Sequence, residues 1–127
     1  MSNYSAKIRE TSFENLSAKD RIKYKQLDTA RQLDEIVTSE SSFVIEEVKG
    51  YVLLEIHNEK ADTTDYIKLL IVDNNDNKFT TGSDSFIRAF GEIYTEMSGE
   101  AEPWGIEILK RESKNYKGKY FLTCNII

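Results

Sequence analysis

The longest stretch of alternating polarity in the chain covers residues 43–57 and contains a glycine, Gly50. Alternation with a period of two is typical of a β-strand with one buried face. A glycine within a strand marks a bulge or a sharp bend, and such a bend lets one strand pair with both halves of a small barrel. We therefore predict a long, bent first strand over 43–57. Its apolar parity consists of Val44, Val48, Val52, Leu54 and Ile56, and its other parity contains Lys49, Tyr51, Glu55 and His57.

The remainder of the chain alternates between strand-like and helical patterns. Period-two segments predict a second strand over 66–73 and a third over 78–81, joined by the turn-forming sequence NNDN. Apolar residues then recur at spacings of three and four, which predicts one amphipathic helix over 84–97. Alternation returns in the last quarter of the sequence. It predicts a fourth strand over 104–111 and a fifth over 120–127.

The first 40 residues carry weaker signals. Residues 1–16 show no clear period, and we interpret them as an arm or a loosely attached segment. Two short helices or turns are expected after it, over about 19–26 and 28–37. The predicted organisation is an N-terminal arm with short helices over 1–40 and a β-domain over 41–127. A chain of 127 residues is long enough for one packed core, so both parts are expected to form one globular domain.

The order of elements predicts a mainly β fold. Three strands, one helix and two further strands match the plan of the oligonucleotide-binding fold (OB-fold), a five-stranded antiparallel Greek-key barrel with a helix between strands three and four. Here a short N-terminal helical extension would precede the barrel. A parallel βαβ fold would need helices between most strands, and only one is expected. Another small α+β domain on an antiparallel sheet is the alternative.

Composition excludes several functional classes. Cys124 is the single cysteine, so an internal disulfide is impossible. With His57 as the single histidine, we expect neither a structural zinc site nor another cofactor. The sequence contains no serine-histidine-aspartate arrangement, paired-carboxylate motif or phosphate-binding glycine loop, so we expect no enzymatic activity. No apolar run approaches the length of a membrane span, and the N-terminus lacks the apolar stretch of a secretory signal. We therefore expect a cytoplasmic protein that does not bind membranes.

The distribution of charge is more informative than the net charge of −5. Basic residues concentrate in 19–25 and in 110–119, and the second run coincides with the loop between predicted strands four and five. OB-fold barrels bind nucleotides across strands two and three, between this loop and the loop joining strands one and two. Cations that contact phosphates and aromatic rings that stack on bases are what single-strand binding requires. The candidate DNA-binding residues are Arg111, Lys114, Tyr116, Lys117 and Lys119 in the second loop region, and Lys60, Tyr66, Lys68, Tyr51 and His57 around strands one and two. The odd parity of strand one and the even parity of strand two would combine Tyr51, His57, Tyr66 and Lys68 into one outward surface.

Four segments carry a resemblance to a known family: LSAKDRIKYKQLDTARQLDE, VLLEIHNEK, TTGSDSFIRAF and SKNYKGKYFLTCNI. In this order they resemble the small single-stranded DNA-binding proteins encoded by tailed bacteriophages of Gram-positive bacteria, over about residues 16–127. The resemblance implies an OB-fold, protection of single strands during phage replication or recombination, and no enzymatic turnover. It also implies that the SKNYKGK loop contacts DNA. Cellular single-strand binders usually end in an acidic tail, whereas this chain ends in NII, so recruitment of partners by such a tail is not expected.

Several alternatives remain open from sequence alone. The lysines of the second loop are also compatible with a solvated hairpin, and Tyr51 and Tyr66 with packing against the N-terminal helices. A lone exposed histidine such as His57 often has no role in binding. At the level of the whole protein, the rival to single-stranded DNA binding is a protein-interaction module on the same fold, recruiting a host replication or defence protein. Replication or recombination proteins are expected partners in either case, and a homodimer through the N-terminal helices is an alternative to a monomer.

Overall fold

The computed structural model describes residues 4–127, which form a mainly β fold as predicted. Within these residues the strands build two sheets, and three α-helices and one 3-10 turn connect or cover them. The strands are β1 (Tyr4–Thr11), β2 (Arg31–Gln32), β3 (Phe43–Ile45), β4 (Val48–Asn58), β5 (Asp65–Asp73), β6 (Lys78–Thr81), β7 (Ile106–Glu112) and β8 (Tyr120–Ile126). The helices are α1 (Ala18–Lys25), α2 (Leu33–Ile36) and α3 (Asp84–Met97), and the 3-10 turn is Leu27–Thr29.

The closed five-stranded barrel that the element order predicted is wrong for this structure. One sheet has the strand order β1-β4-β5-β6-β2 and the other has the order β3-β7-β8. Strand β6 carries β2 on its second edge, in parallel, with Arg31 opposite Phe79 and Gln32 opposite Thr80. That pairing occupies the edge that the fifth strand of a closed barrel would use. Strand β8 packs instead against α3.

The predicted first strand is bent and divided between the two sheets. Its first part, β3, pairs with β7, and its second part, β4, pairs with β5. The register of β4 shifts between Val48 and Gly50, where the sequence predicted a bulge. A Cβ atom added at Gly50 would lie 2.6 Å from the ring of Phe13, so the glycine lets the N-terminal segment cross the strand closely.

The N-terminal segment is not a loose arm from residue 4 onward. Strand β1 pairs with β4 in antiparallel register, and the chain after it covers the face of the large sheet. Ser17 caps α1 by accepting from the backbone N–H of Asp20, and the ring of Tyr24 stacks on that of Phe13 with their centroids 5.3 Å apart. The prediction for residues 1–3 lies outside the described residues.

Two hydrophobic cores lie on opposite faces of the large sheet. The first fills the space between the two sheets and is completed by α3, whose Phe86 and Phe90 are buried. Trp104 is partly buried there and packs edge-on against Tyr94. The second core lies under the N-terminal segment; its buried members are Tyr24, Val52, Leu54, Ile56, Leu70 and Val72. No helix in residues 4–127 is long and apolar enough to cross a membrane.

Gly105 marks the closest approach between β3 and the start of β7. An added Cβ atom would collide with the backbone carbonyl groups of Ile45 and Glu46, which cannot move without breaking the small sheet. We expect Gly105→Ala to lower the free energy of unfolding by about 1 to 3 kcal/mol, measured by urea denaturation. Gly91→Ala is the matched control, because no atom lies within 4 Å of its added Cβ and alanine is favoured in a helix. A neutral Gly105→Ala would contradict this close contact.

Candidate nucleic-acid interface

The β7–β8 hairpin carries the SKNYKGK loop on an ordered turn. The backbone N–H of Ser113 donates to the carbonyl of Lys119 at 2.8 Å and closes the loop. Inside it the N–H of Lys119 donates to the carbonyl of Tyr116 at 3.1 Å, and Gly118 has a φ of 79°. This geometry fits a type II turn, which needs a positive φ at its third residue. Tyr116 is the first residue of this turn, Lys117 the second and Lys119 the fourth.

The hairpin presents four cations to solvent. Arg111, Lys114, Lys117 and Lys119 are all exposed. Within residues 4–127, none of these four side chains forms an ion pair, and none of the three lysines forms a side-chain hydrogen bond. The Arg111 guanidinium lies beside the side-chain amide of Asn125. In the amide orientation that gives both its oxygen and its nitrogen a hydrogen-bond partner, the oxygen accepts from Arg111 Nη2 at 3.1 Å. These cations are therefore available to an anionic ligand.

The hairpin also carries three exposed aromatic residues, of which sequence reasoning found only Tyr116. The exposed fractions are 66% for Tyr116, 50% for Tyr120 and 38% for Phe121. Sequence analysis assigned Tyr120 and Phe121 only to strand five. A signal for Phe121 was present, because its parity partners Thr123 and Asn125 are polar while Leu122 and Cys124 on the other parity are apolar. Tyr120 and Phe121 are neighbours in β8 and therefore project from opposite faces of the hairpin. Since stacking on bases requires exposed aromatic rings, both join the candidate residues.

Tyr51 lies apart from this hairpin surface. Its ring packs edge-on against Phe90 and Tyr94, with centroid distances of 5.9 and 4.9 Å, so it belongs to the boundary of the first core. Burial, followed by the nearby Glu10 carboxylate, raises the pKa of the Tyr51 phenol. Tyr51 is therefore a packing residue, but it packs against α3 and not, as the alternative interpretation had it, against the N-terminal helices.

The predicted outward surface of Tyr51, His57, Tyr66 and Lys68 does not form. Strand β4 pairs with β5 so that residues of equal parity lie opposite, as with Tyr51 and Ile71 or Leu54 and Lys68. Because directly opposed residues share a face of the sheet, Tyr66 and Lys68 lie on the face opposite to Tyr51 and His57. The sequence does not specify this register, which depends on how the connecting loop closes.

Tyr66 and Lys68 lie on the face that the N-terminal segment covers. Tyr66 packs against the second core, and Lys68 Nζ lies 3.4 Å from the side-chain oxygen of Gln32. Their neighbours further along the strand, Leu70 and Val72, are completely buried. The middle of the outer β5 surface, where an OB-fold barrel would bind nucleotides, is therefore closed.

His57 and Lys60 lie at the loop between β4 and β5. Lys60 is exposed and its side chain has no partner among the described residues. By contrast, His57 Nδ1 lies 2.8 Å from Asp65 Oδ1, and His57 Nε2 lies 3.6 Å from Glu59 Oε1. Hydrogen bonds to Asp65 and then Glu59 raise the pKa of His57. When protonated, the imidazolium is thus neutralised by two carboxylates, which makes it a poor phosphate ligand.

Asp34 of α2 connects the base of the hairpin to the large sheet. Thr81, at the end of β6, donates to the carboxylate of Asp34 at 2.8 Å, and Lys110 donates to the backbone carbonyl of Asp34 at 3.1 Å. Thr81 pairs with Leu69 in the middle of β5, so these contacts attach the hairpin to the large sheet. Ser85, at the start of α3, adds a further contact to β8 by donating to the carbonyl of Leu122 at 2.7 Å.

Cys124 is buried, and burial raises the pKa of its thiol to about 12, which disfavours the nucleophilic thiolate. Within residues 4–127 no group of three or more histidine, cysteine or acidic side chains is arranged to hold a metal ion. Comparisons with protein-family models, curated proteins and solved structures found no match.

Proposed function

We propose that this chain is a single-stranded DNA-binding protein that acts in phage DNA replication or recombination and has no enzymatic activity. The observation that carries the proposal is the β7–β8 hairpin, which bears three exposed aromatic rings and four exposed cations that form no ion pair within residues 4–127. Rings that stack on any base and cations that contact phosphates bind single strands without strong sequence preference.

The charge distribution supports the same site. Residues 104–127 contain five lysines and arginines against two glutamates, whereas the rest of the chain contains 12 basic residues against 20 acidic ones. A polyanion approaching this protein is therefore attracted to the hairpin and repelled by most of the remaining surface. The negative net charge thus favours one defined contact site over coating of the whole surface.

The relation to the OB-fold is part of the proposal. It is supported by the β4-β5-β6 meander, by the helix between β6 and β7, and by the β3–β7 and β7–β8 pairings. The proposed relation is an opened variant, in which β2 replaces the fifth strand beside β6. The phage-type function, the host cytoplasm as its location and the recruitment of replication or recombination proteins rest on the sequence resemblance.

The salt dependence of binding tests this function. Each phosphate neutralised on a single strand contributes about 0.7 to the decrease of log affinity per log unit of salt. Engagement of all four hairpin cations therefore predicts a slope of about −3 for a fluorescent oligothymidine, measured by anisotropy. Lys117→Ala should make the slope shallower by about 0.7, while Arg88→Ala on α3 should leave it unchanged.

Two results would contradict this proposal. A flat response between low and moderate salt would exclude phosphate contacts as the source of affinity. Absence of wild-type binding at low salt would exclude the function and favour the protein-interaction module instead.

A further inference from the structure

The small sheet has an outer face that no other element within residues 4–127 covers. In β7 and β8 the odd-numbered residues point to this face, while Ile106, Ile108, Leu122 and Cys124 point into the first core. Val44 of β3 lies on the same face, opposite Glu107. We call this surface the outer strand face; it consists of Val44, Glu107, Leu109, Arg111, Phe121, Thr123 and Asn125. All seven side chains are exposed or partly exposed.

The corresponding face of the large sheet is closed. Val52, Leu54, Leu70 and Val72 would be its central positions, and all four are completely buried beneath the N-terminal segment. A polynucleotide leaving the hairpin therefore has no access to the middle of β4 and β5. The outer strand face is the sheet surface that continues directly from the hairpin.

On the basis of the proposed function, we infer that single-stranded nucleic acid continues from the hairpin along the outer strand face, with one base stacked on Phe121 and one phosphate bound by Arg111. This path differs from the surface over strands two and three that the predicted barrel would use. It gives the sheet, and not only the loop, a part in binding.

The geometry of the face supports this path. Arg111 and Phe121 lie directly opposite each other at the base of the hairpin, so an exposed cation adjoins an exposed aromatic ring. Arg111 extends along the face towards Asn125, which adds a polar group beyond the stacking position. Strand β8 has seven residues and a length of about 23 Å at roughly 3.3 Å per residue, which leaves room for several nucleotides.

The acidic group on this face is already engaged. Glu107 accepts a hydrogen bond from the hydroxyl of Ser42 at 2.9 Å, which anchors its carboxylate at the β3 side of the sheet. Leu109 and Thr123 lie opposite each other between Glu107 and Arg111, and neither is charged. The half of the face next to the hairpin therefore has a positive charge and no competing acid.

Single substitutions distinguish this path from one over the large sheet. Phe121→Ala should weaken binding of oligothymidine by roughly 5- to 150-fold at constant salt, as expected for loss of one stacked base. Tyr66→Ala removes an aromatic ring from the large sheet and should change the affinity by less than about twofold. Phe121 is exposed, so its variant should unfold at nearly the wild-type temperature, which a thermal scan verifies.

A spectroscopic measurement gives an independent answer if either alanine variant folds poorly. In Phe121→Trp the new indole should be quenched on addition of oligothymidine, beyond any change in Trp104 of the wild type. Ile22→Trp, at a 58% exposed position of α1, should show no additional quenching.

The outcomes separate this inference from the proposed function. Weak binding by hairpin variants, together with wild-type affinity of Phe121→Ala and no quenching in Phe121→Trp, would overturn the path and leave the function standing. If Tyr66→Ala weakened binding and Phe121→Ala did not, the path would likewise be overturned and the proposed function would stand. Absence of oligothymidine binding by the wild type would overturn both.

Discussion

Simultaneous substitution of Lys114, Tyr116 and Lys117 by alanine is expected to weaken binding of single-stranded DNA by about 100-fold or more. The variant removes the most exposed aromatic ring of the hairpin and two of its unpaired cations. Stacking on one aromatic ring contributes about 1 to 3 kcal/mol, and each lost phosphate contact weakens binding further at low salt. Anisotropy of a labelled oligothymidine at low salt measures the change.

A control with the same change of charge is available on the helices. The Lys19, Ile22 and Arg88 triple alanine variant also removes two exposed cations and one exposed apolar side chain, but from α1 and α3. We expect its affinity for oligothymidine to remain within about threefold of wild type. Both triple variants lose two positive charges, so the change in nonspecific electrostatic attraction is the same in both, and any larger loss in the hairpin variant reports its direct contacts. Equal losses in the two triple variants would show that net charge, and not the hairpin, determines binding.

Substitution of Phe86 by alanine is expected to destabilise the fold by about 3 to 5 kcal/mol. Phe86 is completely buried at the start of α3, and its ring stacks on that of Phe90 with the centroids 6.2 Å apart. The smaller side chain would leave a cavity in the first core, between the two sheets. Because domains of this size are stable by only about 5 to 15 kcal/mol, much of the total stability would be lost. Urea denaturation at constant pH measures the difference.

Glu92→Ala on the exposed side of the same helix serves as the control and should change stability by no more than about 0.5 kcal/mol. A loss below about 1 kcal/mol for Phe86→Ala would mean that α3 is not an integral part of the core.

The elements with strong local patterns were predictable from sequence. The amphipathic spacing gave the bounds of α3, Asp84–Met97, without error, and the third strand, Lys78–Thr81, was equally accurate. The apolar spacing and the Ser83 cap define α3, and the NNDN turn and Gly82 bound the third strand. Local sequence patterns are therefore enough to predict these two elements.

The elements that depend on distant partners were not predictable in the same way. Strand β1 alternates Tyr4, Ala6 and Ile8 with polar residues, but its register shifts between Ile8 and Glu10, which disrupts the pattern. Strand β2 has only two residues, Arg31–Gln32, too few to show any period, and yet it occupies the edge of β6. The prediction of a closed barrel failed because this small pairing is invisible in the sequence.

The candidate site was predicted in part. The loop between the last two strands was found because its cations and Tyr116 lie together in the sequence. The surface assembled from Tyr51, His57, Tyr66 and Lys68 was wrong, since it depended on a cross-strand register that sequence parity does not determine. Phe121 was missed although the pattern of β8 contained the signal. Its parity partners Thr123 and Asn125 are polar, whereas Leu122 and Cys124 on the other parity are apolar, so the sequence indicates that Phe121 lies on the outer side.

The most direct test of the hairpin as the binding site is titration of the isotope-labelled protein with an oligothymidine, followed by amide chemical shifts in NMR spectra. We expect the largest changes to cluster in residues 111–121, with smaller changes continuing along β8. The second core beneath the N-terminal segment should remain unperturbed, because it is closed to the ligand. Saturating changes centred on α1, α3 or β1, with the hairpin amides unmoved, would contradict the account.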